Sequence, residues 1–151
     1  MGINRPDVYG DTLQWYFGYT TEANGQTISS VDTPVHLDRA TGYATAQNKN
    51  MVVGTDQQIT TKVAGRFILQ THCTFNGSVN DDYTLYWRIN SSNESAGQVK
   101  WTQKGGNYWA VSSQTILELE EDDEIDLWIE NNSDTTNITL SRFNIAIIKI
   151  W

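Results

Sequence analysis

The stretch Arg66-Phe67-Ile68-Leu69-Gln70-Thr71-His72-Cys73-Thr74-Phe75 sorts its side chains into two sets. Phe67, Leu69, Thr71, Cys73 and Phe75 fall on one face of an extended chain, and Arg66, Ile68, Gln70, His72 and Thr74 on the other. That alternation is a strand, and Asn76-Gly77-Ser78 ends it. A second strand follows from Tyr83 to Ile89, with Tyr83, Leu85, Trp87 and Ile89 on one face. The run Ser91 to Gly97 reads as a loop by composition. Val99–Gln103 and Tyr108–Ser113 flank Lys104-Gly105-Gly106-Asn107, which reads as a hairpin turn. Thr115 to Leu119 is a further strand, and Ile125, Leu127 and Ile129 alternate with Asp126 and Trp128 in the next. After the turn Asn131-Asn132-Ser133-Asp134, a brief extended piece, Ile138 to Leu140, precedes the last strand, Phe143 to Trp151.

Upstream the pattern is weaker. Gln58 to Val63 alternates and stops near Gly65, and Val35-His36-Leu37 is short and extended. Residues 1–30 lack a clean period: Trp15-Tyr16-Phe17-Gly18-Tyr19 is an aromatic knot, and Glu22 to Gly25 a turn signal. The expected division is an N-terminal arm or first hairpin over 1–30 and one domain over 31–151. With roughly eight to ten strands and no helical pattern, the fold class is an all-β sandwich, barrel or jelly roll.

Composition narrows the function. The 151 residues carry 18 acids against 10 Lys and Arg, a net charge of −8. Nucleic acid is excluded as a partner, since each neutralised phosphate needs a cation. No apolar run is long enough to span a membrane, so none is expected as a partner, and no signal segment is evident at the N-terminus. A single Cys, Cys73, allows no internal disulfide.

The terminal strand bears on assembly. Phe143, Ile145, Ile147 and Trp151 share one face, while Ala146, Ile148 and Ile150 share the other. A strand that is apolar on both faces must be covered on both, and a two-layer sandwich covers only one. Another subunit is the favoured cover.

Three segments resemble the jelly roll of the tumour-necrosis-factor-like and complement-head-like superfamily, which includes phage structural proteins. Val63-Ala64-Gly65-Arg66-Phe67-Ile68-Leu69 is similar to the family's Gly-x-Tyr/Phe-x-hydrophobic strand. The run Ile116 to Leu127, with Glu120-Glu121-Asp122-Asp123-Glu124 at its centre, is similar to its Leu-x-x-Gly-Asp-x-Ile/Val-x-Leu turn. Leu140 to Ile148 looks like its closing Ser-x-Phe-x-Gly-hydrophobic strand. The resemblance covers about residues 55–151, with Val31 to Val53 supplying earlier strands. Two residues depart from it: Asp122 stands where the family prefers Gly, and Ala146 lies near a usual Gly. No collagen-like stalk is present. The resemblance implies a single-domain jelly-roll sandwich and a homotrimer with one sheet toward the axis. On that reading Ile68, Trp128, Ile148 and Ile150 hold the trimer.

Catalysis finds no support in the sequence. His72 and Cys73 are adjacent in a strand and point to opposite faces, so they cannot form a nucleophile–base pair. The acids from Glu118 to Asp126 read as a solvated turn, with Asp122, Asp123 and Glu124 as weak calcium candidates that lack an EF-hand pattern. No cofactor and no enzymatic activity are expected.

The expected role is a virion component: a capsid decoration (cement) protein of a bacteriophage, bound to the major capsid protein at the outer capsid surface. Capsid contacts are placed on Asn4, Arg5, Trp15, Tyr16, Phe17 and Tyr19. The alternative is a receptor-binding fibre or spike tip, or a free carbohydrate-binding module, that meets a host surface glycan through Trp101, Asn107, Tyr108 and Trp109.

Overall fold

Alternation alone does not say which strands pair, and the computed structural model supplies that. It describes residues 15–20, 24–28, 30–37, 47–54, 58–105 and 108–151. Twelve strands occur among them: β1 Trp15–Thr20, β2 Asn24–Gln26, β3 Val35–His36, β4 Gln47–Lys49, β5 Val52–Val53, β6 Ile59–Thr60, β7 Gly65–Asn76, β8 Asp82–Ile89, β9 Ser92–Thr102, β10 Trp109–Leu119, β11 Glu124–Asn131 and β12 Ile138–Lys149. The first sheet runs β10-β7-β12-β1-β4, with β2 also paired to β12. The second runs β5-β6-β11-β8-β9, with β3 paired to β11. All pairs are antiparallel, and β7 to β12 pass repeatedly between the sheets, as a jelly roll requires.

The inward faces interdigitate as the alternation predicts. Phe67, Leu69, Cys73 and Phe75 of β7 and Phe143 and Ile147 of β12 are wholly buried, as are Leu85 and Trp87 of β8 and Ile125 and Ile129 of β11. Each large apolar side chain removed from water contributes about 1.5–3 kcal/mol. Cys73 is thus a core residue, its Sγ 3.4 Å from the Thr71 hydroxyl, while His72 faces outward.

Three sequence expectations are corrected. Ser92 to Gly97 belongs to β9 and is not a loop: Asn90 and Ser91 both take positive φ (51° and 65°), the conformation of a two-residue hairpin turn, and β9 starts directly after them. Val99–Gln103 and Tyr108–Ser113 do not pair as a hairpin, because β9 lies in the second sheet and β10 in the first. The separate pieces read at Tyr108–Ser113 and Thr115–Leu119 form one strand, and Ile138–Leu140 likewise runs into β12 through a register shift between Leu140 and Arg142.

One end of the sandwich is closed by a buried polar network. Asn131, wholly buried, donates its Nδ2 to Asp81 Oδ2 and Asp134 Oδ1, both at 3.0 Å, and its Oδ1 accepts the Ser133 N–H at 2.9 Å. The Tyr83 hydroxyl donates to Asp81 Oδ2 (3.3 Å) and accepts the Ser78 N–H (3.0 Å). Burial, reinforced by Asp81, pushes the Tyr83 phenol up to about 12, and burial beside Glu130 raises that of Tyr86 as well. A phenol ionising later in the folded than in the unfolded chain gives stability that is complete below the unfolded value of 10.0. That contribution is lost as the pH climbs toward the folded one. Urea midpoints should therefore fall steeply between those two values, and Tyr83→Phe should flatten the fall.

Candidate self-association face

The outward face of the first sheet is set by registers across β10, β7 and β12. Ile116, Ile68 and Ile148 stand side by side in one row. Gln114, Gln70 and Ala146 form the next row, then Ser112, His72 and Asn144, then Ala110, Thr74 and Arg142. At the other end Arg66 pairs with Glu118, its Nε donating at 2.8 Å. The three middle rows hold no formal charge, in a chain of net charge −8. Ile116 is 53% exposed, and Ile68 and Ile148 are half-buried. A row of three isoleucines on a face turned away from the core is an outward apolar patch.

Of the residues expected at a threefold axis, Ile68 and Ile148 are neighbours in this row. Ile150 follows beyond the strand end, 36% exposed, its N–H donated to the Arg66 carbonyl. Trp128 is not with them: it lies on β11 of the other sheet, opposite Tyr86 and His36. Its ring is engaged there, with the Arg88 guanidinium 4.0 Å above it and the His36 ring edge-on at 5.6 Å. Beside it the buried Asp126 carboxylate accepts from Gln58 Nε2 (3.3 Å) and lies 3.6 Å from His36 Nε2. Ile116 was missed. Its outward parity was legible in Thr115–Leu119, but its place beside Ile68 comes only from the β10–β7 register.

The other candidates scatter. Asn4, Arg5 and Asn107 lie outside the described residues. The backbone of Trp15, Tyr16, Phe17 and Tyr19 forms β1, inside the first sheet between β12 and β4. Trp101 and Trp109 pack against the core, Trp101 stacked on Phe75 and Tyr83 at 5.8 and 5.5 Å, whereas Tyr108 is 62% exposed.

The acidic run is a built turn. Asp122 has φ 66°, the left-handed conformation for which glycine is favoured, which accounts for the residue the resemblance leads one to expect there. Its carboxylate pairs with Lys62 at 2.5 Å. Asp123 Oδ2 accepts the Glu120 N–H (2.8 Å) and its Oδ1 accepts from Asn90 Nδ2 (2.6 Å), while the Glu124 N–H donates to Asn90 Oδ1 (3.0 Å). Thr61, wholly buried, clasps the turn from below, donating its hydroxyl to the Glu120 carbonyl at 2.6 Å. Because the Asp122 and Asp123 carboxylates are already occupied, EDTA should leave the melting temperature unchanged; a fall of several degrees would reveal a bound cation.

Two layers and the strand order define a jelly-roll sandwich. The chain is similar in fold to Eiger TNF from S. frugiperda (TM-score 0.64, 11% identity, 92% of each chain covered). It is likewise similar to murine APRIL, solved at pH 5.0 (TM-score 0.63, 11% identity, 90% of this chain and 99% of that one). No protein-family model matches the sequence, and neither does any curated protein.

Proposed function

We propose that the protein is a non-enzymatic homotrimer which packs the outward face of its first sheet around a threefold axis and decorates the outer surface of a phage capsid. The observation that carries the assembly is the row Ile116–Ile68–Ile148, apolar and on the outward face of the first sheet, with the uncharged rows of Gln70 and His72 on one side and the Arg66–Glu118 pair on the other. The fold likeness supports the same packing, since it extends over nearly the whole chain. A closed threefold ring presents every other surface in three copies, so modest contacts with the major capsid protein add up to firm attachment. The capsid contact is placed on Asn4 and Arg5 together with Trp15, Tyr16, Phe17 and Tyr19 of β1. The packing of Trp101 and Trp109 on the core makes the decoration reading preferable to glycan recognition.

Light scattering should give about three times the 17.1 kDa of one chain, and the protein should co-sediment with particles purified from cells that make it. A monomer would remove the axis, and absence from the particles would remove the capsid role.

A further inference from the structure

We infer that His72 makes the self-association face acid-sensitive, an inference that rests on the trimer proposed above. His72 is the titratable group of the three middle rows, exposed at the centre of β7. Its Nδ1 lies 2.9 Å from the Ser112 hydroxyl.

What faces His72 decides the sign. From β10 come Ser112, with Ala110 and Gln114 on either side; from β12 comes Asn144, with Arg142 and Ala146 on either side; β7 itself adds Gln70 and Thr74. None of these is a carboxylate able to accept an imidazolium, and the one charged neighbour, Arg142, is itself a cation. Threefold packing brings the row Ser112–His72–Asn144 to one level in three copies. Protonation there puts three like charges into a surface that loses water on association. The free chain therefore binds protons that the trimer gives up, and acid favours the separate chains. With three protons linked to one assembly step, the association constant falls by up to about a thousandfold per pH unit below the point where the free histidine ionises.

The test is the light-scattering mass at micromolar protein from about pH 8 to about pH 5.5, the range in which histidines ordinarily change charge. Wild type, His72→Gln and His36→Gln are compared. Glutamine keeps a hydrogen bond to Ser112 without gaining charge, and His36, on the other sheet, controls for the second histidine. The expected result is loss of trimer mass on acidification in wild type and His36→Gln, and a trimer throughout in His72→Gln. Wild type remaining trimeric across the range would overturn the inference and leave the trimer standing, and so would His72→Gln dissociating as wild type does. A wild-type monomer at pH 8 would instead bring down the trimer itself.

Discussion

Ile68→Asp should convert the trimer into folded monomers, cutting the scattering mass to one third while the strand signal in circular dichroism persists. Ile68 sits between Ile116 and Ile148 in the outward row and takes no part in the inward core, so a carboxylate there is hydrated in the free chain. In the trimer it would be buried against apolar neighbours without a partner, a cost of about 3–5 kcal/mol for each chain. Three copies multiply that cost, so dissociation should be complete at micromolar concentration. Ile116→Asp should act in the same direction. Trp128→Asp should leave the mass unchanged, because its ring lies on the outward face of the other sheet under Arg88. A trimeric Ile68→Asp protein, or a monomeric Trp128→Asp protein, would move the interface from the first sheet to the second.

The second large effect is a loss of stability on Gly97→Ala. Gly97 is buried in β9, and its carbonyl accepts the Ser113 hydroxyl at 2.6 Å. A Cβ there would stand 2.3 Å from Trp87 Cδ1, 3.1 Å from its Nε1 and 3.3 Å from Thr115 Cγ2. Trp87 is wholly buried and cannot swing aside, so the methyl displaces either the indole or the strand. A destabilisation of about 2–4 kcal/mol is expected, a fall in melting temperature of roughly 5–12 °C. Gly25→Ala, where nothing lies within 4 Å of the new Cβ, should stay within about 0.5 kcal/mol of wild type. Similar losses at both positions would show that the close approach of Trp87 to Gly97 is not what makes the glycine necessary.

Tyr86 marks where periodicity stopped being a guide. It has outward parity in β8 yet is 1% exposed, its hydroxyl donated to Glu130 Oε2 at 3.1 Å. Thr84 and Asp126, on the same face of the second sheet, are buried with it. An outward side chain is buried only if other groups lie over it, and nothing in the order of residues along one strand reports that. The hairpin at Asn90-Ser91 escaped notice for a local reason: the commonest signal for such a turn pairs Asn with Gly, and here Ser takes the second left-handed position.

By itself the sequence determined the central strands β7, β8 and β11, the inward set Phe67, Leu69, Cys73, Phe75, Leu85, Trp87, Ile125 and Ile129, and the two apolar faces of β12, because side chains alternate along any extended chain. Only the tertiary structure decided that β9 and β10 part into different sheets, that Trp128 and Ile68 stand on opposite sides of the molecule, and that Ile116 completes a row with Ile68 and Ile148. Pairing and register join residues far apart in the chain, such as Ile68 with Ile116 and Ile148, and alternation within a strand says nothing about which strand lies beside it.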